Sequence, residues 1–220
     1  AWEWNSTASA TRRNRSTRSD EIRSLSRLIA DRRLSLRESS ATFAERKATI
    51  STHRTARAVS LHTGRPVTEE IFDVVDSHDQ VIGQAPRAVV HAENLLHRAS
   101  SIFVFNSAGD LLLQFRSTTK DQYPSCWTAS ASGHLDAGED YETAARRELD
   151  EELGLRSPLE FLTKFPAGAE TAYEFTALFR TVTDEPPTPH PEEIAGMEWA
   201  TLAEIDSRIA AHPEQFTPPF

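Results

Sequence analysis

The 220-residue chain has a single cysteine, Cys126, and a single methionine, Met197. One cysteine forms no disulfide within the chain, and without a cysteine pair the chain has neither a Cys-based zinc site nor a dithiol redox motif. No stretch approaches the roughly 20 apolar residues of a membrane-spanning helix, and the N-terminus lacks the apolar centre of a secretory signal. We therefore expect a cytoplasmic protein with no membrane partner.

Basic residues are scarce in most of the chain. Residues 66–220 hold 10 Lys and Arg against 27 Asp and Glu, whereas residues 1–65 hold 14 against 6. An acidic surface repels nucleic-acid phosphates unless divalent cations intervene, so we do not expect a nucleic-acid partner. The sequence predicts three parts: a basic Arg/Ser-rich extension over 1–65, disordered or loosely helical; a folded domain over 66–212; and a loose Pro-rich tail over 213–220.

The folded part alternates short apolar runs with turn-forming residues. This pattern predicts hairpins over 70–83 and 101–116, a short helix or a crossing segment over 86–98, and strands over 127–132, 159–165, 172–181 and 197–200. Helices are predicted over 141–153, ending at Gly154, and over 202–211. Strands outnumber helices, which indicates a mixed α/β fold.

Three glutamates stand on one face of the predicted central helix. Glu148, Glu151 and Glu152 are spaced i, i+3 and i+4, which places their carboxylates one turn apart. A solvated helix tolerates such a stripe, but clustered carboxylates also form the oxygen site that Mg²⁺ or Mn²⁺ prefers. Arg147 lies beside them, where its guanidinium can pair with Glu139 and hold the preceding loop against the helix.

The segment 133–155 resembles the Nudix box. That pattern is Gly, five residues, Glu, seven residues, Arg-Glu, an aliphatic residue, any residue, Glu-Glu, any residue, Gly and an aliphatic residue. The sequence matches every fixed position, namely Gly133, Glu139, Arg147, Glu148, Leu149, Glu151, Glu152, Gly154 and Leu155. The resemblance implies an α/β/α sandwich with a mixed β-sheet. It also implies hydrolysis of the diphosphate linkage in a nucleoside diphosphate joined to another group, or in a related organic diphosphate.

The resemblance also implies roles for individual residues. Glu148, Glu151 and Glu152 would bind Mg²⁺ or Mn²⁺ together with the carbonyl of Ser132. Catalytic roles fall to Glu151, Glu152 and Arg147, and the base that orients water is Glu152 or a glutamate of a later loop, Glu193. The loop is shaped by Gly133, Gly138, Glu139 and Gly154.

Substrate contacts are predicted outside the box. Arg116 and Lys120 are candidate phosphate ligands, because an acidic domain has few cations to spare. Trp127 is a candidate platform on which a substrate ring stacks, although strand aromatics also build cores. The expected partner is a small-molecule diphosphate, and a homodimer is left open.

The flanks of the box are similar to the isopentenyl diphosphate isomerase subgroup. In that subgroup a catalytic cysteine precedes the first glycine, and Ser132 stands there in this chain. Two acidic residues lie on the strand after the box; Glu174 matches one, and Ala172 replaces the other. Because a serine hydroxyl does not replace a thiolate in moving protons, hydrolysis is the preferred prediction.

Two alternatives stay open: an isomerase-like enzyme, and a catalytically silent Nudix module that binds a ligand. The subgroup also has a histidine metal site. His91 and His97 match it with imperfect spacing, so we interpret them as structural or surface residues. His134 lies in the loop and is left open between the two roles.

Overall fold

Residues 69–220, the part of the chain that the computed structural model describes, form nine β-strands and three α-helices. The strands are β1 Ile71–Val75, β2 Val81–Pro86, β3 His97–Phe105, β4 Leu111–Arg116, β5 Trp127–Thr128, β6 Ala131–His134, β7 Glu160–Phe165, β8 Glu174–Val182 and β9 Ile194–Ala200. The helices are α1 Arg87–Glu93, α2 Tyr141–Leu153 and α3 Leu202–Ala211. The predicted extension over 1–65 lies outside the described residues.

Seven strands form a mixed sheet whose central pair is β3 and β8. The order runs β5-β4-β3-β8-β7, with β6 also paired to β3 and β9 paired to β4. β3 and β8 run parallel, from His97 opposite Glu174 to Phe105 opposite Val182, and the other pairs are antiparallel. β1 and β2 form a separate antiparallel hairpin, as predicted.

Helices cover both faces of the seven-stranded sheet, because successive side chains of a strand point to opposite faces. Ile102 of β3 packs with Leu149 of α2 on one face. Phe103, the next residue, packs with Ile205 of α3 on the other. The predicted α/β/α sandwich is confirmed. Within residues 69–220, no helix has both the length and the apolar character needed to cross a bilayer.

Helix α2 has the bounds that its sequence predicts. The side chain of Asp140 accepts a hydrogen bond from the Thr143 backbone N–H at 2.8 Å and caps the first turn. Gly154 ends the helix in the left-handed conformation, with φ of 66°. Its N–H donates to the Asp150 carbonyl at 2.8 Å, and a side chain at this φ would be strained. Local capping therefore fixes both ends.

Other elements differ from the prediction in extent. The predicted strand over 127–132 is interrupted, because the buried hydroxyl of Ser130 donates to the Leu112 carbonyl and accepts from the Val104 N–H. β8 begins only at Glu174, after a 3-10 turn over Ala169–Thr171. β9 begins at 194, three residues before the predicted start. The segment over 86–98 forms α1 and then enters β3.

The C-terminal segment over 213–220 is ordered and packed, so the prediction of a loose tail is wrong. Phe216 is 6% exposed and joins the core that contains Phe103. The Thr217 N–H donates to the Trp127 carbonyl at 2.9 Å, and the hydroxyls of Thr217 and Thr128 lie 2.9 Å apart. The aromatic residues between the prolines provide the apolar surface that orders this segment.

A buried aspartate fastens the β1-β2 hairpin to the rest of the fold. Asp79 is 7% exposed, and its carboxylate accepts from Arg98 at 2.6 Å, from the Tyr141 hydroxyl at 2.9 Å and from Lys164. Burial alone would raise the pKa of Asp79, but the hydrogen bonds from Lys164, Arg98 and Tyr141 lower it below its ordinary value. One carboxylate thus joins the hairpin to β3, α2 and β7.

Replacing Asp79 with Asn is expected to lower the free energy of unfolding by about 1.5–3 kcal/mol at pH 7, because charged hydrogen bonds are lost. Since the folded pKa lies below the unfolded value, this stabilisation is present above the unfolded pKa and is lost as pH falls through the folded one. The difference between wild type and variant in urea unfolding should therefore shrink below about pH 4. Glu160→Gln, which breaks the exposed pair with Arg180, is the control and should cost less than about 1 kcal/mol.

Candidate active site

A cavity of about 660 Å³ lies against the central sheet and collects most of the predicted site residues. The sides come from β3, β6 and β8, from helix α2, and from the loops before β5 and β9. The predicted residues that line it are Arg116, Lys120, Ser132, Gly133, Arg147, Glu148, Glu151, Glu152 and Glu193. These predicted residues, from Arg116 to Glu193, are up to 77 positions apart in sequence and line the same cavity.

Glu148 and Glu152 are two shielded acidic groups that helix α2 places in the cavity. The side chain of Glu148 is 12% exposed, and Glu152 is 5% exposed. Burial raises the pKa of Glu148 to about 7; burial and the neighbouring charge of Glu148 raise that of Glu152 to about 8. Glu152 Oε2 accepts hydrogen bonds from Gln114 Nε2 at 2.8 Å and from the Ser132 N–H at 3.2 Å. Two buried carboxylates that resist ionisation together are suited to a divalent cation.

Glu151 differs from the other two glutamates because its side chain is 60% exposed. It pairs with Arg147 Nη1 at 3.2 Å. The same guanidinium donates to both oxygens of Glu139, to Glu148 at 2.6 Å and to the His134 carbonyl at 2.9 Å. The expected Arg147–Glu139 pair is present. We therefore expect Arg147 to position the loop and Glu148, and we no longer assign it a direct catalytic role.

The glycines of the loop meet two different requirements. A side chain at Gly133 would collide with the carboxylate of Glu148, so only glycine leaves that carboxylate its place. Gly138 has φ of 83° with open space around it, and its N–H donates to Asp73 at 2.9 Å. The loop is thus shaped for the approach of Glu148 at one end and for a turn at the other.

Lys120 and Glu193, predicted separately as a phosphate ligand and a base, form an ion pair in the cavity. Their side chains are 19% and 36% exposed. The two loops also join through the Ser117 N–H, which donates to the Glu193 carbonyl at 2.9 Å. Arg116 donates to the Gln122 carbonyl at 3.0 and 3.2 Å and so braces the same loop. An anion that binds Lys120 would therefore break its ion pair with Glu193 and leave the Glu193 carboxylate unpaired by Lys120.

Trp127 does not belong to the cavity, which corrects its assignment as a substrate platform. Its ring lies 5.0 Å from that of Phe115, and the guanidinium of Arg208 stands 5.0 Å from its centroid. It packs against the core that contains Phe216. The indole is already covered by protein groups on the α3 side of the sheet.

Three histidines converge beside Glu174, although two of them were interpreted as structural or surface residues. His91 comes from α1, His97 begins β3 and His134 ends β6. One ring nitrogen of each lies within 4.8 Å of the others. His134 Nε2 is 3.0 Å from Glu174 Oε1 and 3.3 Å from His91 Nε2. The fold thus brings His91 and His97, which the sequence interprets as structural or surface residues, into one cluster with His134 that could hold a metal ion.

The protonation pattern of this cluster suits a metal ion. His97 Nδ1 donates to the Leu95 carbonyl at 2.9 Å, and its Nε2 lies 3.5 Å from Glu174 Oε1. Among the described residues this buried Nε2 has no hydrogen-bond partner. Burial and the neighbouring histidines lower the pKa of His91 to about 4. Burial alone would raise the pKa of Glu174, but the neighbouring rings of His134 and His97 lower it to about 2. Three imidazoles with one carboxylate favour a transition ion such as Mn²⁺ or Zn²⁺.

Sequence reasoning also missed Gln114, which is 1% exposed and orients Glu152. A signal was present, because Gln114 interrupts the apolar run 111–115 in a strand that the sequence predicts to be buried. A buried amide in such a strand needs a polar partner. The partner itself lies 38 residues away and was not visible in the local pattern.

Replacing Gly133 with Ala should weaken Mn²⁺ binding by about tenfold or more, because the new methyl group displaces the Glu148 carboxylate. Isothermal titration calorimetry measures this affinity. The displaced group is the end of a flexible side chain, so the free energy of unfolding should change by less than about 1 kcal/mol. Gly83→Ala, where the added methyl group meets nothing within 4 Å, is the control. An unchanged Mn²⁺ affinity in Gly133→Ala would contradict the site.

Replacing Glu193 with Gln should tighten the binding of methylenediphosphonate about two- to fivefold, because Lys120 no longer has a competing partner. The dissociation constant is measured in the presence of Mn²⁺. Glu192→Gln, an exposed neighbour outside the cavity, should leave it unchanged. Weaker binding by Glu193→Gln would show that Glu193 supports the anion site and does not mask it.

Known proteins resemble the chain in both sequence and fold. A family model of the NUDIX domain matches residues 95–220. An isopentenyl-diphosphate Delta-isomerase 2 from Photorhabdus laumondii is 38% identical over 154 residues, which cover 68% of this chain and 87% of the relative. An uncharacterized Nudix hydrolase from Yersinia pestis is 37% identical over 150 residues, which cover 68% and 80%.

The crystal structure of DR0079 from Deinococcus radiodurans superimposes with a TM-score of 0.59 at 32% identity, covering 64% of this chain and 90% of that one. The fold, the complete box and the relatives lead to one assignment. The chain belongs to the Nudix family, in the subgroup that resembles isopentenyl diphosphate isomerase.

Proposed function

We propose that this protein is a divalent-metal-dependent hydrolase that cleaves the diphosphate linkage of a nucleoside diphosphate derivative or a related organic diphosphate. The observation that carries the proposal is the buried pair Glu148 and Glu152 in a cavity that also holds Arg116 and Lys120. Acidic groups for a cation and basic groups for an anion thus face one space. A metal–diphosphate complex carries both kinds of charge.

Each of these side chains has a task in hydrolysis. Glu148 and Glu152 would hold Mg²⁺ or Mn²⁺, whose positive charge offsets that of the diphosphate and acidifies water. Gln114 and the Ser132 N–H keep Glu152 oriented. Lys120 binds the diphosphate and thereby frees Glu193, which then accepts a proton from the attacking water.

The histidine cluster would hold a second, softer divalent ion. His91, His97, His134 and Glu174 supply three imidazole nitrogens and one carboxylate oxygen. This set suits Mn²⁺ or Zn²⁺ better than Mg²⁺, which prefers oxygen ligands. The two sites open on the same cavity, through His134 and Glu174 on one side and Glu148 on the other.

Isomerisation of isopentenyl diphosphate is the second candidate, favoured by the histidine cluster and by relatives named as that isomerase. Moving a proton to and from an unactivated alkene requires a placed acid and base. Of the positions named for this subgroup, the thiol position holds Ser132 and one of the two acidic positions holds Ala172, whereas Glu174 keeps the other. Ser132 directs its backbone N–H to Glu152, and Ala172 lies in a left-handed turn with φ of 54°. These positions favour hydrolysis.

Replacing Glu152 with Gln should lower kcat at least about 100-fold, because the substitution removes a charged metal ligand. The assay uses Mg²⁺ or Mn²⁺ with ADP-ribose, NADH, dinucleoside polyphosphates, nucleoside triphosphates and isopentenyl diphosphate, and identifies products by mass. The melting temperature without metal should not fall, since a neutral group of the same shape replaces a carboxyl group that resists ionisation. Glu142→Gln, an exposed pair partner of Arg146 on the same helix, is the matched control and should retain full activity.

The outcomes separate the candidates. Hydrolysis of a panel member that is lost in Glu152→Gln and retained in Glu142→Gln supports the proposal. Conversion of isopentenyl diphosphate to its isomer by the wild type would replace it with the second candidate. Full activity in Glu152→Gln would remove Glu152 from the metal site.

A further inference from the structure

Strands β3 and β8 form one wall of the cavity, which we call the floor, and its chemical character changes along the two strands. His97 stands opposite Glu174, two residues further Ala99 stands opposite Thr176, and after two more Ser101 stands opposite Leu178. Since side chains repeat every second residue, these pairs share one face of the sheet. The floor therefore passes from metal-binding groups, through small and hydroxyl-bearing residues, to an apolar end.

The apolar end is closed by the C-terminal segment. Phe220 lines the cavity, and its ring packs at 5.8 Å against both Phe103 and Phe216. Its backbone N–H donates to the Thr217 carbonyl at 3.0 Å, and Thr217 is in turn tied to Thr128. Phe220 is only partly buried, so part of its surface remains open to an occupant of the cavity. In the register, this end lies four residues beyond His97 and Glu174, and its pair Ser101 and Leu178 carries no charge.

Thr176 adds a polar contact between the two zones. Its side chain lines the cavity and is partly exposed, yet its hydroxyl is shielded and lacks a hydrogen-bond partner among the described residues. Rotation about its Cα–Cβ bond exchanges the positions of the methyl and the hydroxyl. A buried hydroxyl without a partner is unfavourable, so a ligand group that bonds to it gains affinity.

We propose that Thr176 and Phe220 form a subsite for the organic half of the substrate, and that this half carries both an apolar surface and a hydrogen-bonding atom, as a nucleoside does. The inference rests on the proposed function, because it assumes that a diphosphate occupies the charged end. A plain alkyl diphosphate fills the apolar end but leaves Thr176 without a partner. The subsite therefore discriminates against alkyl diphosphates.

The test measures binding without turnover, by calorimetry in Mn²⁺. The probes are the α,β-methylene analogues of the diphosphates of the five common nucleosides and of isopentenyl diphosphate, and methylenediphosphonate, which has no organic half. At least one nucleoside probe should bind the wild type about tenfold or more tightly than isopentenyl diphosphate. Thr176→Val should reduce that ratio by about tenfold, and Thr176→Ser, which keeps the hydroxyl, should preserve it.

Phe220→Ala should weaken the nucleoside and isopentenyl probes by about tenfold and leave methylenediphosphonate unchanged. The controls are Thr181→Val, a buried threonine of β8 outside the cavity, and Phe161→Ala, an exposed aromatic residue. Equal losses for all probes, no loss, or no nucleoside preferred over isopentenyl diphosphate would overturn the subsite. A nucleoside preference without any hydrolysis would overturn the proposed function alone.

Discussion

Two carboxylates buried side by side impose the constraint on which the rest of the site depends. Burial raises the pKa of both Glu148 and Glu152, and the charge of Glu148 raises that of Glu152 further. Three neighbouring groups hold these carboxylates in place. Gly133 leaves room for Glu148, the guanidinium of Arg147 donates to Glu148, and the amide of Gln114 donates to Glu152. Burying two carboxylates destabilises the folded protein, and a bound divalent cation would offset that unfavourable free energy.

The chain combines this carboxylate pair with a second cluster of a different kind, the three histidines. Carboxylates select a hard ion, whereas the imidazoles of His91, His97 and His134 select a softer one. Both clusters reach one cavity, through Glu148 and Glu152 and through His134 and Glu174. Ser132 stands at the position where the resemblance to the isomerase subgroup predicts a cysteine, and a serine hydroxyl is less acidic than a thiol.

The parts that sequence predicted best depend on local rules. Helix α2 follows from its capping residues and its periodicity, and the Arg147–Glu139 pair follows from a fixed spacing. The sequence left the histidine cluster undecided, because its members lie on a helix and two strands that only the folded chain brings together. Trp127 was misassigned for a related reason. The sequence does not show which face of the sheet its ring covers, and in the fold that ring packs against α3 and the C-terminal segment.

The central claim is that water attacks the diphosphate. The most direct measurement is turnover of a substrate in water enriched in ¹⁸O, with Mn²⁺ present and products weighed by mass spectrometry. The account predicts that one product phosphate gains a single ¹⁸O atom in each turnover. A product of unchanged mass, isomeric with the substrate and free of ¹⁸O, would contradict it.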